Sequence, residues 1–376
     1  MENPFAYSNY VSGNSFCNRK KEQDELLRYI KGSQNVLLYS HRRYGKSSLI
    51  LQVFKNIKNA RLKIRTLHVE LYGTTSEKDL IVRAFQCLSQ IESNFDRLMK
   101  LVNRTVKGIR FNVSVDPNSG NTSFSPSFEA VDEKMLLQDL MNILDEYSKK
   151  QKLVVAFDEF QEVSKYSGES FEKRLRSYIQ QHQNICYIFS GSQQHLLTEM
   201  FNTSSRAFYK QAASFPLKKI STKDYVLWVK KLFKKNKITL ENDFIEDVIL
   251  KFENHPMYIQ QFLFFLWDEL KEKEPSRYLL SQIETSIIEN KNLEYITLWE
   301  TLTLNQKKTL KLVLLKDGLS LYNVDALKSV DLKSASLVTK ALSSLVKKEI
   351  LVKNGKYIIQ DILFKKWLHK ICKNDV

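Results

Sequence analysis

Apolar residues recur along this chain with two alternating periods. Residues 19–31 place Leu26, Leu27 and Ile30 on one helical face. Asn35 to Tyr39 is a short apolar run of the kind that forms a buried strand. Helical spacing then returns between Ser47 and Ile57, through Leu49, Ile50, Val53, Phe54 and Ile57. Leu62 to Leu71 predicts a second strand, and Lys78 to about Met99 a helix. Residues 108–128 differ: Phe111 to Val115 alternates, Asp116 to Gly120 has turn composition, and Phe124 and Phe128 alternate again. This pattern predicts a β-hairpin insertion. A helix from about Val131 to Lys149 follows, then an apolar strand, Leu153 to Phe157, that runs into Asp158 and Glu159. Phe171 to His182 reads as a helix and Ile185 to Phe189 as another buried strand. Strands alternating with helices predict an α/β fold, with a parallel sheet covered on both faces.

After about Lys218 the strand signals stop. Residues 221–290 read as a helical bundle around the strongly apolar helix Met257 to Leu270. From Asn305 the pattern is three helices and then two short strands about a turn at Asn354-Gly355. The expected domains are 1–218 (α/β), 219–290 (helical) and 291–376. The 376 residues suit two or three domains, and 43% apolar content is enough for sizeable cores.

Charge adds a second layer. The formal net charge is +16, and residues 305–376 hold 15 lysines, no arginine and 6 acidic residues. That excess fits either a nucleic acid or acidic surface as partner, or a lysine-rich solvated face. Cys17, Cys87, Cys186 and Cys372 are far apart, without metal-ligand or disulfide-framework spacing. The N-terminus lacks the basic and apolar stretches of a secretory signal. The longest apolar run, Phe262 to Trp267, is too short to span a bilayer. The expectation is a reducing, cytoplasmic setting and no membrane partner.

The chemistry concentrates where strands end. Ser40, His41, Arg42, Arg43, Tyr44, Gly45, Lys46 and Ser47, followed by Ser48, nearly match GxxxxGK[ST] between a predicted strand and a predicted helix. Ser40 replaces the first glycine. In such a loop backbone N–H groups and the helix N-terminus face phosphates. Lys46 would reach the β- and γ-phosphates of a nucleotide, and the Ser47 hydroxyl would ligate Mg²⁺. Asp158, at the tip of a separate strand, would hold the same ion indirectly, and Glu159 would polarise the attacking water. At the next strand tip, Ser192 or Gln193 either senses the γ-phosphate or caps the following helix. Arg206 is either an arginine finger or half of a surface ion pair.

Together these elements resemble the archaeal-type ATPases of the STAND branch of the AAA+ P-loop NTPases. The similarity runs through Asn3-Pro4-Phe5 and the F-x-x-R-x-x-E pattern Phe16, Arg19, Glu22. It continues through Arg42, Arg43, Gly45 and Lys46, Phe157 to Gln161, and Phe189 to Ser192. The resemblance implies a five-stranded sheet, a helical lid, a winged helix, and ATP rather than GTP. It places Arg19 near the adenine. Asn254-His255-Pro256 is similar to the G-x-P motif of the lid, with Asn254 in place of glycine. His255 and Pro256 would then approach the base or phosphates. The alternative is a helix start with Pro256 in its first turn.

Ser334 to Lys348 places Val338, Ala341, Leu342 and Leu345 on one face, and Ser336, Thr339, Lys340, Ser343, Lys347 and Lys348 on the other. With the small strands Ile350 to Val352 and Tyr357 to Ile359, this is a winged-helix pattern. Lys340, Lys347, Lys348, Lys353 and Lys356 would contact duplex DNA phosphates, or the face would pack on the lid or a protein partner. Without arginine, DNA binding would be weakly sequence-selective. Three functions are expected in turn. The first is an ATP-hydrolysing molecular switch, alone or as a homo-oligomer. The second is an ATP-controlled DNA-binding regulator or DNA-handling adaptor. The third is a nucleotide-binding scaffold with negligible turnover.

Overall fold

The strongly apolar runs become the strands of the central sheet. The computed structural model describes residues 2–91, 109–115, 122–128, 133–166 and 169–374. In chain order the first strands are β1 (Val36–Tyr39), β2 (Ile64–Glu70), β3 (Ile109–Val115) and β4 (Thr122–Phe128). They are followed by β5 (Lys152–Asp158), β6 (Ile185–Gly191) and β7 (Ala213–Pro216). β2, β5, β6, β1 and β7 lie side by side in that order, and every pairing among them is parallel. Hence β6 separates β1 from β5.

The runs are continuous because each central strand is buried on both sides. On one face Val154 and Ala156 join Val36, Leu38 and Ile188 against Leu26, Ile30, Leu49, Ile50 and Val53. Those five come from helices Lys20–Lys31 and Lys46–Asn59. On the other face Leu153, Val155 and Phe157 meet helices Glu77–Ile91, Glu133–Lys150, Glu169–Gln181 and Gln194–Asn202. Beyond the tip of β5, Phe160 opens a 3₁₀ turn, Phe160–Lys165. Its ring packs 4.6 Å from Phe189 and 5.3 Å from Phe208. This aromatic cluster fixes where β5 stops, and therefore where Asp158 and Glu159 stand.

The expected hairpin insertion is present. β3 and β4 pair antiparallel, Ile109 opposite Phe128 and Val115 opposite Thr122. Its turn at 116–120 and the expected helical residues 92–99 lie outside the described residues. The apolar pattern predicts four sheet strands. The fifth, β7, is an edge strand of four residues in which only Phe215 is buried, too little for a hydrophobic pattern.

By compactness the chain forms two units. One comprises Ala6–Leu232 with Asn254–Met257 and contains the sheet. In the other, Phe5 packs 5.6 Å from Phe233 and 5.9 Å from Trp267. The second unit continues through helices Arg277–Asn290, Asn292–Glu300, Leu304–Leu315, Val324–Lys328 and Ala335–Lys347. Ser334 caps the last of these by accepting from Leu337 N, and Val338, Ala341, Leu342 and Leu345 form its buried face. β8 (Leu351–Asn354) and β9 (Lys356–Ile359) pair antiparallel about Gly355, whose φ of +68° suits glycine. A closing helix, Ile362–Asn374, was not expected from the pattern. Asp361 caps it through Leu363 N and Phe364 N. Among the described residues no helix is long and apolar enough to cross a membrane.

Candidate nucleotide site

The loop from Ser40 to Gly45 joins β1 to helix Lys46–Asn59. Two residues turn it through left-handed backbone, Arg43 (φ +64°) and Gly45 (φ +87°). Gly45 then leads into the helix, with Leu49 N donating to Gly45 O at 2.9 Å. The first-turn N–H groups of this helix lack intrahelical acceptors and face its N-terminal end, where the loop lies. Lys46 is buried, and its Nζ donates to the carbonyls of Ser40 and His41 at 3.4 Å each. Burial lowers its pKa, and the nearby carboxylates of Glu159 and Asp158 oppose that shift. Arg42 and Arg43 are exposed on the loop.

Ser47 donates its hydroxyl to Asp158 Oδ2, so the two expected metal ligands touch. His68, on the neighbouring strand β2, donates Nε2–H to the same oxygen at 3.3 Å. Burial alone would raise the Asp158 pKa. The hydrogen bonds from His68 and Ser47 outweigh it and hold the carboxyl at about 2, so Asp158 is ionised at neutral pH. Hard oxygen donors in contact, one of them an anion, are the donor set Mg²⁺ takes beside substrate phosphates.

Glu159 takes left-handed backbone, φ +54°. Its Oε2 accepts from Ser192 N at 3.2 Å, from Ser192 Oγ at 2.9 Å, and from Gln161 Nε2. The strand order explains this meeting, since β6 lies beside β5 and its end delivers Ser192 to Glu159. At Gly191 a Cβ would stand 2.0 Å from Gln161 Oε1 and 2.9 Å from Leu197 Cδ1, so a larger residue would displace the ends of those side chains. Gln193 precedes helix Gln194–Asn202 at its N-cap, with no side-chain cap bond.

A second group surrounds Tyr44. Arg19 is buried, and its guanidinium donates to Tyr44 O at 3.1 Å and Lys218 O at 2.9 Å while pairing with Glu22 at 3.1 Å. It clamps the loop backbone. The Tyr44 ring meets His41 edge-on at 5.4 Å and His255 at 5.0 Å. Burial, then the charges of Lys219, Arg43 and His41, push the His255 pKa down to about 3. Asn254 adopts φ +56°, which asparagine tolerates better than most residues and which suits a motif position expected to be glycine. Its side chain donates to Ile220 O and Thr222 Oγ1 at 3.1 and 3.0 Å. Pro256 is the first residue of helix Pro256–Glu269.

Arg206 pairs instead with Glu172 at 2.6 Å and Glu199 at 3.3 Å. Lys340, Lys347 and Lys348 are exposed in the second unit.

Sequence reasoning missed the layer behind Asp158. Thr66, His68 and Glu70 alternate with Leu67 and Val69 on β2, a polar file on a strand beside Asp158. Tyr10 packs edge-on against His68 at 6.4 Å and donates to Glu70 Oε2 at 3.0 Å. The segment carrying Tyr10 runs along the P-loop helix, with Val11 N donating to Ser48 Oγ and Gly13 N to Gln52 Oε1. The alternation on β2 was the available signal.

Comparison with known proteins agrees with this architecture. Residues 293–370 match a family model described as "Probable winged helix domain". No curated protein is matched by the sequence. The Walker-type ATPase PABY2304 of Pyrococcus abyssi is similar in structure with a TM-score of 0.65 and 17% identity, over 97% of this chain and 99% of that one. The ORC2 protein of Aeropyrum pernix, solved as ADPNP–ADP complexes, gives 0.57 at 12% identity, over 95% and 93%. The ORC1 protein of the same organism, solved in complex with DNA, gives 0.50 at 12% identity over the same shares. The chain therefore shares the fold of these structures, a five-stranded parallel sheet wrapped by helices, followed by a C-terminal winged helix domain.

Proposed function

We propose that this chain binds ATP and hydrolyses it in a Mg²⁺-dependent cycle, serving as a nucleotide-governed molecular switch of the STAND type. The observation that carries this reading is the meeting of Lys46 and Ser47, after β1, with an ionised Asp158 at the tip of β5. Lys46 neutralises the β- and γ-phosphates, aided by loop N–H groups and by exposed Arg42 and Arg43. Ser47 and Asp158 hold Mg²⁺, which when bound neutralises charge on the phosphate oxygens. Glu159 orients the attacking water and takes its proton once its carboxylate leaves Ser192. Ser192 then becomes the group that registers the γ-phosphate. Arg19, Tyr44, His41, His255 and Pro256 shape the loop beside the nucleotide, Arg19 through the backbone. Arg206 braces buried Glu172 rather than the phosphate.

In this reading 1–218 is the ATPase domain, 219–290 its helical lid and 291–376 the winged helix. The switch works in the cytoplasm. Lys46→Ala tests the nucleotide assignment. Calorimetry should show ATP affinity largely lost and circular dichroism an intact fold, whereas unchanged affinity removes the P-loop assignment.

A second reading is ATP-controlled binding of duplex DNA. It is favoured by the exposure of Lys340, Lys347 and Lys348 on and just after helix Ala335–Lys347. The DNA-bound ORC1 of similar fold is in keeping with it.

A further inference from the structure

Helix Leu304–Leu315 buries one face in the core and leaves a second face of mixed leucine and lysine outside it. Its inner stripe, Gln306, Thr309, Leu310, Leu312 and Val313, is buried. The other follows the i, i+3, i+4, i+7 spacing of a single helical face: Leu304, Lys307, Lys308, Lys311, Leu314 and Leu315. This face forms one wall of a groove of about 470 Å³, closed by Trp299, Ser329, Val330 and Cys372. Leu304 is 66% exposed and Leu315 63%, a large apolar area to leave in water.

The charge of the groove is one-sided. Three lysines line it, and among the described residues no carboxylate does. Lys307 Nζ lies 5.5 Å over the Trp299 ring, which holds that ammonium at the groove. Lys308 reaches Asp331 O at 2.7 Å and Asp331 Oδ2 at 2.5 Å, at the surface. None of these residues belongs to helix Ala335–Lys347 or to β8 and β9, the parts that the DNA reading uses.

We propose that this groove docks an acidic amphipathic helix of a partner protein. Leucine or aromatic side chains at i, i+4 and i+7 of the partner enter between Leu304, Leu315 and Trp299, and its carboxylates meet Lys307 and Lys311, Lys308 being paired with Asp331. A face with leucines at both ends and lysines between them complements that chemistry. Nucleic acid presents phosphates without an apolar anchor and leaves the leucines uncovered. The helix is 12 residues long, so at ~1.5 Å per residue it offers roughly 18 Å of groove, about three turns of a partner helix. The proposal does not depend on ATP hydrolysis.

The probe is a fluorescein-labelled peptide of about 16 residues, with leucine and phenylalanine at helical spacing and glutamate elsewhere, added to the full-length protein. Fluorescence anisotropy should show saturable binding with a Kd on the order of tens of micromolar. The double change Lys307→Glu with Lys311→Glu, and separately Leu315→Asp, should each weaken it at least about tenfold. Both are surface changes, and circular dichroism and unaltered ATP affinity verify the fold. Equal binding of a peptide with the same composition in scrambled order overturns the proposal, because charge alone then suffices. So does the lack of saturable binding by about 200 µM. If a duplex DNA binds while the peptide does not, and the same variants abolish DNA binding, the groove is a nucleic-acid surface and the proposal fails.

Discussion

His255 offers a quantitative handle on the packing of the P-loop. It is buried against Tyr44, and its pKa falls from the ordinary 6.5 to about 3. Between those values the unfolded chain carries a proton that the folded chain excludes. Unfolding then takes up a proton, so stability falls as pH falls, beginning near 6.5 and levelling off near 3. At about 1.4 kcal/mol per pH unit, lowering the pH from about 7 to about 5 costs about 2 kcal/mol through this residue alone. His255→Phe keeps an aromatic ring on Tyr44 and removes the titration. Urea unfolding of both proteins at the two pH values gives the difference, with groups common to both cancelling. The variant should lose about 2 kcal/mol less than the wild type on acidification. Equal losses would mean that His255 is solvated and does not pack on the loop.

The remaining predictions concern Arg206 and the winged helix. Arg206→Ala removes an ion-pair partner of the buried Glu172 carboxylate and should destabilise the sheet-containing unit by about 3–5 kcal/mol in urea unfolding. Unchanged stability with a sharp loss of turnover would instead make Arg206 a finger on the phosphate. Changing Lys340, Lys347 and Lys348 together to glutamate should leave ATP turnover intact. If the DNA reading holds, the wild type retards duplex DNA at about 50 mM salt with a slope near −0.9 per phosphate contact, and the triple variant does not. No retardation of the wild type in any nucleotide state refutes that reading.

The strands easiest to read were those buried on both faces. β5 packs Val154 and Ala156 one way and Val155 and Phe157 the other, and β6 packs Cys186 and Ile188 one way and Tyr187 and Phe189 the other, so each carries a continuous apolar run. β7 at the sheet edge buries one phenylalanine and left no such trace. The loop around Lys46 and the pair Asp158-Glu159 were legible because their chemistry is local in sequence. Their surroundings were not. His68 reaches Asp158 because β2 pairs with β5 in a register that sets Glu70 opposite Asp158. Ser192 reaches Glu159 because β6 adjoins β5. Tyr10 is placed by a segment laid along the P-loop helix. No local pattern encodes these pairings, which come from sheet order and chain path. Arg206 carried two readings in sequence, and its contact with Glu172 depends on how helices Glu169–Gln181 and Gln194–Asn202 pack.

The central claim is hydrolysis by Glu159 at a site that binds nucleotide independently of that carboxylate. Glu159→Gln keeps the size of the side chain and its capacity to accept from Ser192, and removes the base. ATP affinity by calorimetry and phosphate release at saturating ATP and Mg²⁺ should be measured on the same preparations of wild type and variant. The account predicts equal affinity and a turnover about 10²–10⁴-fold lower in the variant. Wild-type turnover in Glu159→Gln, or no turnover in the wild type at all, would contradict it.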